Sequence, residues 1–234
     1  MRILALDTAT ANCSAALLLD GELRERARRL ERAHAELILP MVDELLREGG
    51  VTLSALSAIA FGRGPGAFTG VRLAASVTQG LAFGAALPVV PVSDLQALAQ
   101  RALDEDRTIE RVLACTDARM REVYWGCFER SGEGFAQPVG LERVSSPAQV
   151  QLPAGWTTRP GRLAGAGSGF AVYPDLQAQL PLAMAAEGLL PRAAEIARLA
   201  VPELEAGRFF PPEQALPVYL RDDVAQAPSG PSRN

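Results

Sequence analysis

The amino-acid sequence predicts an α/β fold of two lobes with a cleft between them. Short apolar runs typical of strands alternate with stretches that carry apolar residues at helical spacing. The first half follows the order β-β-β-α-β-α-β-α, and the second half begins as a shortened copy of the first. We therefore expect one lobe at residues 1–105, a second at 106–222, and a disordered tail at 223–234, where the sequence is polar and rich in proline and glycine.

Three predicted strands open the chain. RILALDTAT is a short apolar run that ends in the polar pair Asp7 and Thr8. NCSAALLLDG closes on Asp20 and Gly21, a dipeptide typical of hairpin turns. ELRERARRLE alternates weakly, which predicts a third strand with a polar, exposed face.

Three helices follow, separated by the predicted strands LSAIAFGRG and LPVVPVS. The first starts near Ala33, has Pro40 as a kink or as its true start, and carries a six-residue apolar stripe: Leu37, Ile38, Met41, Val42, Leu45 and Leu46. The second, residues 70–87, is apolar on nearly all sides, with small residues four apart: Ser76, Gly80 and Gly84. The third is SDLQALAQRAL, with Ser93 as its cap.

The second half repeats the opening pattern. RVLACTDAR is an apolar strand that brings Asp117 to a strand end, as the first strand brings Asp7. EVYWGCFER matches the second strand, a third lies near VGLERVS, and GRLAGAGSGF is a later strand. PRAAEIARLAVPELEAG has apolar residues on one helical side, so it predicts the main helix of this half.

The composition is that of an ordinary globular protein. Of the 234 residues, 48% are hydrophobic and 21% are charged, and no run approaches the roughly 20 apolar residues that cross a membrane. The N-terminal apolar run is too short for a signal peptide and is interrupted by Asp7. We expect a cytoplasmic location with no membrane contact.

Charge and cysteine usage limit the partners and the redox chemistry. The net charge is −4 and every basic residue is arginine, so the chain is a poor stand-alone binder of nucleic acid and should meet RNA mainly through a partner. Cys13, Cys115 and Cys127 lie in apolar, strand-like runs without CxxC spacing. They are expected to be buried free thiols.

The segment FGRGPGAFTGVR, residues 61–72, resembles a phosphate-binding loop but lacks its lysine. A Walker A loop needs lysine and then serine or threonine after its last glycine. This segment has Thr69, and Arg72 lies about one turn into the helix. Helix-start N–H groups could hold an anion, but we favour a structural loop built from Gly62, Gly64, Pro65, Gly66, Thr69 and Gly70.

Each residue of that structural loop has an expected role. Gly62, Gly64 and Gly66 are expected to take backbone angles closed to other residues, while Pro65 stiffens the turn. Gly70 is expected to let the helix approach the sheet.

Several segments resemble the TsaB (YeaZ) family: ILALDTATANCSAALL, FGRGPGAFTGVRLAASVTQGLA, DARMREVYWGCF and the late PVYLRD. The likeness runs from Met1 to about Asp222, with Ala67 where members more often have serine. A duplicated βββαβαβα lobe with an aspartate ending its first strand is also similar to the actin/sugar-kinase/Hsp70 (ASKHA) superfamily. Two RNase H-like, actin-like lobes with an interlobe cleft are the fold that this resemblance implies.

The resemblance also implies a function. Family members are non-catalytic subunits of the machinery that makes N6-threonylcarbamoyladenosine next to the anticodon of tRNAs reading ANN codons. They pair with a metal-containing paralogue, TsaD, which transfers the threonylcarbamoyl group, and a small ATPase, TsaE, joins them. We therefore expect no cofactor, no metal and no catalytic residue in this chain, and contact with tRNA only through the complex.

The single histidine argues against a metalloenzyme. The catalytic paralogue binds metal through HxxxH, a pair one helical turn apart, whereas the residue four after His34 is Ile38. One imidazole and scattered carboxylates do not make such a site, so His34 is expected in the first turn of a helix. Peptidase activity has no support either, since no Ser-His-Asp group or two-histidine metal site can be assembled.

The main alternative is a small phosphotransferase resembling acetate or sugar kinases. Asp7 and Thr8 occupy the place where kinases of the superfamily hold metal and phosphate, and Asp117 occupies the matching place in the second half, so the two aspartates could serve phosphoryl transfer through Mg²⁺. Aspartate also caps turns at strand ends, and the second half has only one well-marked helix. Asp7, Thr8 and Asp117 therefore form a residual candidate nucleotide site.

The helices of the first half indicate a partner surface. The six-residue apolar stripe of the first helix is wider than packing against a single sheet requires. Small residues on the second helix permit close contact with another helix. We predict an interface with the paralogue formed by Leu37, Met41, Leu45, Leu73, Val77 and Leu81. Without the partner, the same surface is available for a two-fold homodimer.

Overall fold

The computed structural model describes residues 1–30, 32–156 and 162–221, which fold into two mixed sheets flanked by helices. The first sheet has the order β3-β2-β1-β4-β5, in which β1 to β3 are antiparallel and β4 and β5 run parallel to β1. Its strands are β1 (Arg2–Asp7), β2 (Asn12–Leu19), β3 (Glu22–Arg29), β4 (Ala58–Gly62) and β5 (Val89–Val92).

Three helices follow the strands of the first sheet in the predicted order. They are α1 (His34–Gly49), α2 (Phe68–Ala85) and α3 (Asp94–Glu105). Helices α1 and α2 cover one face of the sheet with a core cluster that includes Leu6, Ile38, Leu45, Ile59 and Phe61. The alternation of strand and helix periods in the sequence therefore predicted this lobe correctly.

The second sheet has the order β11-β10-β6-β7-β8, and β9 pairs with β7 beside β8. Its strands are β6 (Arg111–Arg119), β7 (Glu122–Arg130), β8 (Ala136–Pro138), β9 (Arg143–Ser145), β10 (Leu163–Ala166) and β11 (Met184–Ala186). Two short helices, α4 (Ser168–Val172) and α5 (Pro174–Ala178), follow β10. The repeated opening hairpin is present, whereas β8, β11, α4 and α5 are too short to show a period in the sequence.

Helix α6 (Ala193–Glu205) returns from the second half of the chain to the first sheet. Its residues Ile196 and Ala200 pack in one core cluster with Ile3 and Ala5 of β1. Helix α3 crosses in the other direction, because Leu98 packs with Val112 of β6 in a cluster of the second sheet. The division at residue 105 stays a prediction, and the predicted tail lies outside the described residues.

Local details of the helices agree in part with the expectations. Ser93 caps α3, since its hydroxyl oxygen accepts a 3.2 Å hydrogen bond from the Gln96 backbone N–H. Helix α1 begins at His34 and continues through Pro40, so Pro40 is not its start. None of the helices in the described ranges combines the length and hydropathy of a bilayer-spanning segment.

Candidate functional site

The glycine loop, residues 61–70, connects β4 to α2 and is packed against its own chain. Gly64 has a φ of 100°, in the region that favours glycine. Gly62 and Gly66 do not, so the expectation of closed backbone angles is wrong for these two. They are required for close approach instead, because a Cβ on Gly66 would lie 2.5 Å from the Ala9 carbonyl oxygen and one on Gly62 would overlap the Asp94 carboxylate.

The start of α2 lies directly against the end of β1. A Cβ on Gly70 would overlap the carbonyl oxygen of Thr8, and the Thr8 hydroxyl donates a 2.7 Å hydrogen bond to the Gly70 carbonyl oxygen. The predicted role of Gly70 in bringing the helix to the sheet is thus confirmed. Thr69 is exposed and Pro65 is buried. The Cβ positions of Gly62, Gly66 and Gly70 are thus taken up by other atoms of the same chain.

Arg72 does not turn back toward the glycine loop. Its guanidinium stacks 3.7 Å from the centre of the Phe68 ring, and its Nε donates a 2.7 Å hydrogen bond to the Tyr219 hydroxyl. Because both contacts engage this side chain at the surface, Arg72 does not replace the missing lysine.

Asp7 and Asp94 form a buried pair of carboxyl groups next to the glycine loop. Asp7 ends β1 and is fully buried, and Asp94 is the first residue of α3 and is 2% exposed. One oxygen of Asp7 accepts a 2.8 Å hydrogen bond from the Ala9 N–H, and one oxygen of Asp94 accepts a 2.5 Å hydrogen bond from the Gly64 N–H. The two carboxyl groups also face each other at hydrogen-bonding range.

Burial dominates the electrostatics of this pair. Removal from water raises the pKa of Asp7 to about 7, against the lowering effect of the Ala9 N–H. Burial, followed by the charge of Asp7, raises the pKa of Asp94 well above its usual range. Thr8 is also buried. Asp7 and Thr8, two of the three residues that the sequence offered as a nucleotide site, therefore lie inside the lobe.

Beside this pair, a polar network joins the two halves of the molecule. The Ser93 hydroxyl donates a hydrogen bond to a carboxylate oxygen of Glu142, which precedes β9. The guanidinium of Arg63, in the glycine loop, lies 3.3 Å from the other carboxylate oxygen. Glu142 is only 12% exposed, so its charge depends on these two partners.

Asp117 has a different setting from Asp7. Its carboxylate accepts hydrogen bonds from the Arg119 N–H at 3.0 Å and from the Tyr173 hydroxyl at 3.3 Å, and the Arg119 guanidinium lies 3.4 Å away. The Arg119 contacts lie in the turn between β6 and β7, and the Tyr173 contact joins that turn to the segment between α4 and α5. The structure thus places Asp117 at a strand end, as predicted, but in a turn-capping role that also suits aspartate.

His34 is the first residue of α1, as predicted, and its Nε2 lies 3.0 Å from the Thr10 carbonyl oxygen. Across residues 1–30, 32–156 and 162–221, no cluster of three or more His, Cys, Asp or Glu side chains is arranged to hold a metal ion.

The six residues of the predicted partner surface differ in how deeply they are buried. Met41 is 6% exposed and Leu45 is fully buried in the core under α1, so these two residues pack inside the lobe rather than at a surface. The other four predicted residues are half-buried: Leu37, Leu73, Val77 and Leu81. The wide stripe of α1 mainly covers the sheet, which sequence periodicity alone did not distinguish from a partner face.

Helix α2 exposes a smooth face that no part of the described chain covers. The residues that form it are Arg72, Ser76, Gly80, Phe83 and Gly84. A Cβ on Gly80 or Gly84 would meet nothing within 4 Å, and Phe83 is 76% exposed. Near the end of this face, a groove of about 540 Å³ is lined by Phe83, Leu87, Pro88, Phe209, Phe210 and Pro212. We name this exposed side the α2 face.

The two sheets with their flanking helices define the chain as a two-lobed α/β protein of the actin-like, ASKHA type. Residues 28–197 match the family model described as TsaD: tRNA N6-adenosine threonylcarbamoyltransferase. The chain belongs to this family and, within it, to the TsaB (YeaZ) proteins, as the relatives below show.

The relatives cover nearly the whole chain. The chain is 41% identical to the tRNA threonylcarbamoyladenosine biosynthesis protein TsaB of Escherichia coli K12, over 96% of each protein, and 40% identical to that of Haemophilus influenzae, over 96% of this chain and 95% of the relative. The structure of YeaZ from Pseudomonas aeruginosa has a TM-score of 0.87 and 47% identity, over 94% of this chain and 99% of that one. A second P. aeruginosa structure with the same values is described as similar to the peptidase YeaZ.

Asp94 and Glu142 were missed by the sequence analysis. Asp94 follows a serine cap, where an acidic residue is common because it favours the positive end of a helix. Glu142 lies in VGLERVS, where the sequence predicted a strand but gave no sign that this carboxylate is buried. Only the packing of α3 and β9 against the glycine loop reveals that both carboxylates are buried.

Proposed function

We propose that this chain is a non-catalytic subunit needed for N6-threonylcarbamoyladenosine modification of tRNAs that read ANN codons. In this proposal it acts by binding and supporting a metal-containing TsaD-like paralogue, and a TsaE-like ATPase joins the pair. The tRNA is bound by the complex rather than by this acidic chain alone. The biosynthetic names of the E. coli and H. influenzae relatives support the assignment.

The burial of Asp7 and Thr8, two of the candidate nucleotide-binding residues, supports a non-catalytic role. Asp7 and Thr8 are buried, and the loop glycines are in contact with Thr8, Ala9 and Asp94. A phosphotransferase needs carboxylates and loop N–H groups that are accessible to the phosphates of its nucleotide. The geometry therefore disfavours the kinase-like alternative, and titration of the purified chain with Mg-ATP is expected to show no micromolar binding.

The uncovered α2 face is the single observation that carries the proposed mode of action. Small residues at positions 76, 80 and 84 allow a second helix to approach the α2 backbone closely, and the aromatic ring of Phe83 supplies apolar area at one end. Half-buried Leu73, Val77 and Leu81 border this face on the same helix. A solvent-exposed helix face without charges other than Arg72 is suited to a stable protein contact.

The family match supports a paralogue as the occupant of the α2 face. Because residues 28–197, which include α1 and α2, match the TsaD family model, a TsaD-like partner has corresponding helices of its own. Two related chains can then pair through the same helices about an approximate two-fold axis. The same geometry accounts for self-association of this chain when the paralogue is absent.

The test combines reconstitution with a substitution that cannot disturb the core. Modification of unmodified tRNA is measured with and without this chain, and full activity without it would remove the proposed role. Gly80→Arg is expected to abolish co-purification with the paralogue, because it places a long charged side chain on the α2 face. Glu133→Arg, an exposed hairpin position, serves as the control and should bind normally. Equal binding by both variants would exclude the α2 face as the interface.

A further inference from the structure

The Asp7–Asp94 pair has two oxygen atoms that the folded chain leaves without a donor. Oδ2 of Asp7 and Oδ1 of Asp94 are buried, and no hydrogen-bond donor of the described residues reaches either one. Two ionised carboxylates can only accept hydrogen bonds. A proton held between them is the simplest group that satisfies both oxygens at once.

Among the described residues, the acidic groups with the largest effect on the pair make a second negative charge there more unfavourable, and the arginines beside them have partners elsewhere. The acidic groups are Glu25 of β3, Glu195 of α6, Glu142 before β9 and the Cys13 thiol of β2. Their nearby arginines already form other ion pairs: Arg192 with Glu195 and Glu25, and Arg63 with Glu142. The pair therefore lies in an acidic interior that favours keeping a proton.

We propose that Asp7 and Asp94 share one proton and act as a pH-sensitive clasp that fastens the glycine loop to the end of β1. The clasp has three points of attachment: the Ala9 N–H on Asp7, the Gly64 N–H on Asp94, and the shared proton between the carboxyl groups. Loss of that proton leaves two carboxylates in contact without solvent. Their repulsion is relieved when the loop around Gly64 moves away.

The sign of the pH effect follows from the direction of the pKa shifts. Both carboxyl pKa values are raised in the folded protein, chiefly by burial, so the folded state holds more protons than the unfolded state above the ordinary carboxyl range. The contribution of the pair to stability is therefore complete below about pH 4 and declines as the pH rises through about 7, and the raised pKa of Asp94 extends this decline to higher pH. For one proton, the unfolding equilibrium constant rises by up to about tenfold per pH unit in this window.

Replacing either aspartate with asparagine removes the shared proton but keeps the size and shape of the side chain. In Asp94→Asn the amide oxygen can still accept from the Gly64 N–H, while its NH₂ donates permanently to Asp7, and Asp7→Asn is the mirror case. Both variants are expected to unfold in urea with a weaker pH dependence between pH 5 and 8 than the wild-type chain. Asp43→Asn, at a side chain that is 80% exposed on α1, is the matched control and should retain the wild-type dependence.

Two measurements on the unaltered chain keep the test decisive if a variant fails to fold. Infrared spectra are expected to show a protonated carboxylic acid at pH 6, above the ordinary carboxyl range, and its band should weaken as the pH is raised further. Hydrogen exchange is expected to show lower protection factors for residues 61–67 at pH 9 than at pH 6. Absence of the carboxylic acid band at pH 6, or the same pH dependence of unfolding in wild-type and both amide variants, would overturn the proposal. These outcomes do not depend on the proposed role in tRNA modification.

Discussion

Thr8 and Gly70 join the end of β1 to the first turn of α2 through a hydrogen bond from the Thr8 hydroxyl to the Gly70 carbonyl oxygen, 2.7 Å long. The backbone of Thr8 lies so close to Gly70 that a Cβ at that position would overlap its carbonyl oxygen. The contact packs the first turn of α2 tightly against the end of β1. It links the scaffold role of the loop to the non-catalytic function that we propose.

Gly70→Ala should therefore destabilise the chain, although alanine is the better helix former. The added methyl forces α2 away from β1, and overpacking of this kind lowers the free energy of unfolding by about 1–3 kcal/mol. Gly80→Ala, in the same helix, adds a methyl that meets no atom within 4 Å. It should raise the free energy of unfolding by up to about 1 kcal/mol. Urea denaturation measures both, and a stabilising Gly70→Ala would show that the close contact with Thr8 is absent.

The three cysteines should be unreactive in the folded chain. They are buried free thiols, as the sequence predicted. Burial raises the pKa of Cys13 to about 11, with a further contribution from the Asp7 charge, and raises the pKa of Cys115 and Cys127 to about 12. At pH 8 only about one Cys13 thiol in a thousand is then the reactive thiolate.

Thiol labelling with a chromogenic disulfide reagent at pH 8 tests this expectation. We expect labelling to be slow in buffer and rapid in urea, with a rate that follows the unfolded fraction. Immediate labelling of one thiol in the folded chain would show that at least one of these side chains is accessible.

The architecture of the first lobe could be predicted because its signals are local. Strand and helix periods, the Asp20–Gly21 turn and the Ser93 cap each depend on neighbouring residues, and the structure confirms their order. The return of α6 to the first sheet could not be predicted, because its apolar side fits either sheet equally well. Contacts between distant segments leave no period in the sequence.

The surroundings of the side chains in the candidate site could not be predicted from the sequence either. The sequence placed Asp7 and Asp117 at equivalent strand ends, but their surroundings differ: Asp7 faces a second buried carboxyl group and Asp117 faces Arg119 and Tyr173. Glycine at positions 62 and 66 was predicted from its backbone freedom, yet the structure requires it for lack of space. Burial and approach distance depend on packing, which a single sequence does not encode locally.

Substitutions on α1 should distinguish its core face from its outer face. Leu45 is fully buried, so Leu45→Ala removes packed methyl groups and should lower the free energy of unfolding by about 2–5 kcal/mol. Leu39 on the same helix is 49% exposed, and Leu39→Ala should change it by no more than about 0.5 kcal/mol. Thermal and urea unfolding give both values. Similar losses for the two variants would mean that α1 packs on the sheet in a different rotation.

Ser93 and Glu142 should be energetically coupled, because a single hydroxyl serves two partners. Its oxygen accepts from the Gln96 N–H and thereby caps α3, while its proton is donated to the Glu142 carboxylate across the junction of the two halves. Ser93→Ala should lower the free energy of unfolding by about 0.5–2 kcal/mol through loss of the cap, and more through the unpaired oxygen of Glu142. In a double-mutant cycle with Glu142→Ala, which removes the acceptor, we expect a coupling energy of about 0.5–3 kcal/mol. Arg47→Gln, which breaks an exposed pair with Asp43 on α1, provides the control, since it should be additive with Ser93→Ala. Additivity of Ser93→Ala with Glu142→Ala as well would mean that the hydroxyl caps the helix without holding the two halves together.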